Sequence, residues 1–244
     1  MIRGSEKVIG KCGMTKRARK ALGLRQVADI GLWAVDNGHK SCKWRTKACK
    51  DCYNVFLAHA HPVFANVWYG DKDELAWENT TSEAFKGLNR VRLCTRGDPF
   101  PTLKDVDRVG EWIRDNPTTL FWIPTRAWQM GLAGKYALNM PMIKAIEKNV
   151  MCYPNARVQA SIDDWTKQHW QWLAKRRWST MYFSKDDNTD PAAFYENGNV
   201  VKCRKTWDIV TNDRGRKVHR KGVCRTCRKG CFSEDRVDIW LKYH

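Results

Sequence analysis

Two groups of cysteines are the residues in this sequence best suited to do chemistry. Cys42, Cys49 and Cys52 lie in SCKWRTKACKDCY, a C-x6-C-x2-C run, and Cys203, Cys224, Cys227 and Cys231 lie in the basic tail. Tight CxxC pairs in a chain without a secretory leader read as metal sites rather than as a disulfide framework. Three thiolates from one loop can ligate three irons of a four-iron four-sulfur (4Fe-4S) cluster and leave the fourth iron open to another ligand. The same loop can make a Cys3His zinc site with His39, His59 or His61 as the fourth ligand, and the spacing leaves both readings standing. The second group is a closed four-thiolate site in which Cys203 joins Cys224, Cys227 and Cys231 across a hairpin-like NDRGRK turn. Such a set takes structural zinc or an auxiliary 4Fe-4S cluster. Cys12, Cys94 and Cys152 stand apart and read as ordinary thiols, with Cys94 inside an apolar core run.

Short apolar runs at 29–35, 90–95, 119–125, 157–162 and 180–184 have the composition of parallel strands covered on both faces. Between them lie amphipathic helices. One follows Thr102, which with Asp105 forms a capping box; it stripes Val106, Val109, Trp112 and Ile113, and it stops at Asn116-Pro117. Another, DDWTKQHWQWLAKR, places Trp165, His169, Trp172 and Leu173 on one face, and one or two more are expected between Tyr53 and Gly87. Strands alternating with helices predict an α/β fold with a parallel sheet. The expected organisation is a basic N-terminal segment (1–27), a partial βα (TIM-like) barrel core (28–200) and a cysteine-rich, basic, metal-binding C-terminal extension (201–244).

The barrel reading comes from the strand ends. Asp36-Asn37-Gly38, Thr95-Arg96-Gly97-Asp98, Thr125-Arg126, Ser161 with Asp163-Asp164, and Ser184-Lys185-Asp186 all close apolar runs with polar residues. A βα barrel gathers such positions on one face, whereas a doubly wound sheet gathers only those near its switch point.

The formal charge of +18 collects at the two ends, in KRARKALGLR and RGRKVHRKGVCRTCRKGC, and predicts contact with a polyanion, most simply nucleic acid. Trp44, inside the first cysteine loop, is a candidate for stacking on a base; most of the other tryptophans fall on core stripes. No P-loop, dinucleotide fingerprint, G-x-S-x-G elbow or zinc-deaminase pairing is present, which argues against phosphotransfer and serine hydrolysis. No stretch approaches the roughly 20 apolar residues of a membrane helix, and the N-terminus has no apolar run of signal-peptide length, so a cytoplasmic protein without membrane contact is expected.

A three-cysteine loop after the first strand of a partial βα barrel resembles the radical S-adenosylmethionine (SAM) superfamily. The six-residue first gap departs from that superfamily's usual C-x3-C-x2-C. The order of motifs is also similar to the phage gene product 88 family: the C-x6-C-x2-C-Tyr loop, VRLCTRGDPF, FWIPTRAW and CRTCRKGC, over residues 30 to 231. The resemblance implies a 4Fe-4S cluster on Cys42, Cys49 and Cys52, with SAM chelating its open iron and reduced to a 5′-deoxyadenosyl radical by an external electron donor. It implies that Gly97 and Asp98 hold the SAM amino group, and that Arg96, Thr125, Arg126, Ser161, Asp163 and Lys185 line the same mouth. A phage-encoded protein would work in the host cytoplasm, and its charge points to a nucleic acid or nucleotide as substrate. The alternative is a non-catalytic, zinc-dependent nucleic-acid-binding protein.

Overall fold

A computed structural model describes residues 14–27, 32–132, 135–184, 200–203, 209–211, 215, 217–219, 231–233 and 237–242. The expected apolar runs form parallel strands: β2 (Leu32–Val35), β3 (Arg90–Leu93), β4 (Leu120–Thr125), β7 (Ala156–Ile162) and β8 (Ser179–Ser184). Residues 29–31 of the first run lie outside the described residues. The second run stops at Leu93 because Cys94 adopts a left-handed backbone (φ 56°), its N–H donating to the Val35 carbonyl at 2.8 Å. Cys94 itself is buried in the core.

The remaining strands are β1 (Arg25–Val27), the hairpin β5 (Gln129–Leu132) with β6 (Lys135–Leu138), β9 (Val200–Lys202), the hairpin β10 (Ile209–Thr211) with β11 (Lys217–His219), and β12 (Asp238–Lys242). The main sheet has eight strands in the order β1-β2-β3-β4-β7-β8-β12-β9, parallel throughout except for β1 against β2. From β2 to β8 the strands lie in chain order, with no reversal of the kind a doubly wound sheet requires. All the strand ends that follow helical crossovers therefore share one edge. Among the described residues the sheet does not close, since β1 and β9 are its two edges.

The region expected from 201 onward as a separate extension contributes to this sheet. Asp238 on β12 is buried and accepts from the Thr180 N–H (2.9 Å) and hydroxyl (2.7 Å), which holds β12 beside β8. The strands on either side of NDRGRK, β10 and β11, pair antiparallel, and Gly215 between them has φ 69°; the other residues between the two strands lie outside the described residues.

The described helices are α1 (Lys16–Ala21), α2 (Tyr53–Ala60), α3 (Pro62–Tyr69), α4 (Lys72–Asn79), α5 (Leu103–Arg114), α6 (Met140–Asn149) and α7 (Trp170–Lys175), and those from α4 to α7 bury side chains against one face of the sheet. Three helices, not one or two, fill the stretch from Tyr53 to Gly87, because Pro62 starts a new helix and Gly70 ends it. α5 begins at its expected cap, Thr102 accepting from Asp105 N–H at 3.3 Å, and buries Val106, Val109, Trp112 and Ile113. These pack with Trp77, Phe85 and Phe121, where Trp77 and Trp112 meet edge to face at 4.9 Å. The opposite face carries a smaller cluster of Leu32, Trp122, Met181 and Phe232, with Cys231 against it.

Two expectations change. The helix expected from Asp163 starts later, at Trp170 after a 3-10 turn (Lys167–His169), because the Asp163 and Thr166 side chains close their own turn on the backbone. Trp165 thereby leaves the apolar stripe and is 47 % exposed. In the N-terminal basic segment, Arg19 is buried, donating to the carbonyls of Ala84 (2.7 Å) and Lys86 (2.6 Å), so that part of the charge is structural. Among the described residues no helix is long and apolar enough to cross a membrane.

Candidate functional site

The first cysteine loop leaves the C-terminal end of β2. Asp36 and Asn37 end the strand, a 3-10 turn (His39–Ser41) leads to Cys42, a second one (Lys47–Asp51) carries Cys49, and Cys52 directly precedes α2. All three thiols are half-buried and free. The Thr46 N–H points at the Cys49 sulfur at 3.4 Å. Burial pushes the Cys42 thiol up to about 12; negative charge on Asp98, and then on Cys52 and Cys49, adds to this, while Arg45 opposes it. Among the described residues no three Cys, His, Asp or Glu side chains form a group that could hold a single metal ion. A mononuclear ion requires its ligands to converge on one point, whereas a 4Fe-4S cluster takes one thiolate per iron and accepts sulfurs spread around it. Three free thiols on one loop, with a backbone N–H on one of them, are the residues that would hold such a cluster.

The loop is tied to the neighbouring strand ends by a continuous chain of hydrogen bonds. The Thr46 hydroxyl donates to Asp163 Oδ2 at 2.6 Å, and Arg126 Nη1 reaches the same oxygen at 2.8 Å. Arg126 N–H donates to Asp98 Oδ2 at 2.7 Å, and the Thr125 hydroxyl to Asp98 Oδ1 at 2.8 Å. Asp98 Oδ1 also accepts from Phe100 N–H at 2.9 Å, and the Asp98 N–H donates to Ser41 Oγ at 2.8 Å. Burial holds the Asp98 carboxyl above the ordinary aspartate value even against these donors.

The sequence-predicted mouth residues divide accordingly. Asp98, Thr125, Arg126 and Asp163 come together beside the cysteine loop. Gly97 (φ 89°) is where that loop and the β3 end touch, for a Cβ there would sit 2.4 Å from the Gly38 carbonyl oxygen and 2.3 Å from Ser41 Oγ. Arg96 turns away: it pairs bidentately with Asp73 on α4 (2.6 and 2.7 Å) and with Asp36 (3.3 Å). Asp36 also binds Arg25; burial raises its carboxyl, but the Arg25 and Arg96 charges outweigh that and leave it below the usual value. Ser161 is buried on β7, its carbonyl accepting from Trp128 Nε1 at 3.3 Å. Lys185 lies outside the described residues.

The histidines weighed as zinc ligands do not join the cysteines. Arg45 donates to His39 Nε2 at 3.0 Å, His39 packs against Trp68 and Tyr69, and burial followed by the Arg45 charge lowers its pKa. His59 and His61 are exposed at the end of α2. Trp44 is packed against the core with its indole N–H donating to the Phe100 carbonyl at 2.8 Å, so it is not presented for stacking. Of the second group, Cys203 follows β9 with its N–H on the Trp240 carbonyl (2.9 Å), and Cys231 packs against the smaller cluster of Leu32, Trp122, Met181 and Phe232; Cys224 and Cys227 lie outside the described residues.

Sequence reasoning missed Thr46, Ser41 and the hairpin β5–β6, which folds over the loop: Gln129 Nε2 donates to the Trp44 carbonyl at 2.7 Å, and Lys47 N–H to the Tyr136 hydroxyl at 2.8 Å. A threonine three residues before Cys49 was the available signal for the first. No protein-family model, curated protein or solved structure matches this chain.

Proposed function

We propose that the chain is a radical-SAM-like iron–sulfur protein on a partial βα barrel, with a 4Fe-4S cluster on Cys42, Cys49 and Cys52. The observation that carries the reading is the hydrogen-bonded path from Cys49 through Thr46, Asp163 and Arg126 to Asp98, which joins a three-thiol loop to the ends of β3, β4 and β7. The unreversed strand order from β2 to β8 supports the barrel. When bound, a cluster with SAM at its open iron supplies reductive cleavage of a carbon–sulfur bond, and with it radical chemistry. Cys42, Cys49 and Cys52 would hold the cluster, and the Thr46 N–H would donate to the Cys49 sulfur, tuning and orienting that ligand. Asp98 accepts from three donors, which positions Thr125 and Arg126, and its Oδ2, with one donor, would retain acceptor capacity for a SAM amino group. Free thiols at Cys42, Cys49, Cys52, Cys94 and Cys152 suit a reducing, cytoplasmic setting. Reductive chemistry also requires an electron donor, and the basic charge suits a nucleic acid or nucleotide substrate.

The test is iron and acid-labile sulfide content of anaerobically purified protein, with its visible spectrum, followed by SAM cleavage under strong reductant. Iron and sulfide that disappear in Cys49→Ala, together with cleavage, are the expected result. Zinc without sulfide refutes the proposal. That outcome would favour a non-catalytic zinc-dependent nucleic-acid-binding protein, a reading supported by the basic residues Lys43, Arg45 and Lys47 interleaved with the cysteines.

A further inference from the structure

Trp165 stands out among the tryptophans. It alone of those described is exposed, at 47 %, although its neighbours in sequence gave it a place on a core stripe. An indole left in water forfeits the burial that places most tryptophans inside. Its mounting, by contrast, is rigid. Trp165 N–H donates to Asp163 Oδ1 at 3.0 Å, and the Asp163 side chain, 2 % exposed, is fixed by Arg126 and Thr46. Lys47, from the cysteine loop, holds its ammonium over one face of the indole, 4.4 Å from the ring centre, which leaves stacking to the opposite face. Lys47 is itself held by its backbone N–H on the Tyr136 hydroxyl. The pair therefore sits on the rim of the cysteine loop, joining an aromatic plane to a cation on a buried base.

We infer that Trp165 and Lys47 form a subsite for an unpaired nucleobase of a single-stranded nucleic acid, the base stacking on the indole face opposite Lys47 and the ammonium attracting the adjoining phosphate. A flat apolar ring recognises a base by its π-face, and only a base outside a duplex has that face available. The ammonium, with the chain's +18 charge behind it, supplies the phosphate attraction. This deepens the function proposed above by naming the substrate class, and rests on it for the chemistry, though not for the binding.

The test is fluorescence anisotropy of labelled oligothymidylate and oligouridylate with the full-length protein, measured on preparations of known iron content and again after chelation. The expected result is binding to single strands in preference to a duplex of equal length. Trp165→Ala should weaken it about 10-fold and Trp165→Phe much less, as loss of one stacked base predicts. Lys47→Gln should lower the slope of log affinity against log salt by about 0.7. Wild-type protein that does not bind, Trp165→Ala binding within about 2-fold of wild type, or a duplex bound equally well would each overturn the inference. So would a mononucleotide that displaces the oligonucleotide at equal concentration, since the subsite would then serve a free nucleotide. Binding that keeps its Trp165 dependence in iron-free protein leaves the inference standing even where the iron–sulfur reading fails; its loss in iron-loaded protein does the reverse.

Discussion

Gly97→Ala tests how tightly the β3 end is built onto the cysteine loop. Two separate effects oppose an alanine there. The backbone is left-handed at φ 89°, which costs an L residue about 1–2 kcal/mol. The new methyl would also meet Ser41 Oγ at 2.3 Å and the Gly38 carbonyl oxygen at 2.4 Å. Ser41 cannot swing aside freely, because its hydroxyl accepts from Asp98 N–H and donates to the Gly38 carbonyl, each at 2.8 Å. Overpacking of this kind costs about 1–3 kcal/mol, so the sum is about 2–5 kcal/mol. Two other glycines separate the effects: among the described residues Gly215 shares the positive φ but has nothing within 4 Å of an added Cβ, and Gly131 has neither constraint. Urea unfolding should rank the variants Gly97→Ala worst, Gly215→Ala at about 1–2 kcal/mol, and Gly131→Ala within about 0.5 kcal/mol of wild type. With a urea slope of about 1–3 kcal/mol per molar, the Gly97 variant should lose about 1 M or more in midpoint. Metal content per chain should fall in that variant alone, since only there is the start of the loop pushed. A Gly97→Ala protein as stable as Gly131→Ala, or a Gly215→Ala protein equally damaged, would refute the argument.

Asp36 should give the stability an acid limb. Its folded value lies below the unfolded 3.8, so its contribution is present above 3.8 and lost as pH falls through the folded value; Asp36→Asn should flatten urea midpoints measured below about pH 4. Asp98 has the opposite sign: raised by burial, it contributes most below 3.8, and that contribution declines as pH rises. Arg126→Gln should destabilise by about 3 kcal/mol, because it strips a partner from the buried Asp163, and a double-mutant cycle with Asp163→Asn should recover part of the loss as coupling. Ile113→Ala, at a fully buried position on α5, should lose about 2–5 kcal/mol in the same assay.

Elements whose signal is local were readable from the chain. Val91 and Leu93, or Phe121 and Ile123, alternate with residues that face the other side of the sheet, and the Thr102 cap with the α5 stripe needs nothing from elsewhere. The three-cysteine loop was legible for the same reason, and the gathering of Asp98, Thr125, Arg126 and Asp163 followed from each closing an apolar run of a parallel sheet. What could not be read depends on distant partners. Arg19 looks like surface charge until the carbonyls of Ala84 and Lys86 are brought to it. Trp165 fits a helical stripe by spacing, but the Asp163 carboxylate takes its N–H and delays the helix. Arg96 sits at a strand end in the sequence, and only the approach of α4 gives it Asp73 instead of the mouth. The hairpin β5–β6 is short and half-exposed, with too little apolar alternation to announce itself.

The place of β12 has a consequence for the order in which the sheet assembles. As the polypeptide leaves the ribosome, β2, β3, β4, β7 and β8 can each dock on the strand made before it. β9 cannot follow them, because its hydrogen-bonding neighbour is β12, which is synthesised after the whole cysteine-rich tail. Until then β8 waits with an open edge, the kind of surface on which nascent chains aggregate. Whatever helps the tail find its shape during synthesis therefore also shortens the time that edge stays unprotected.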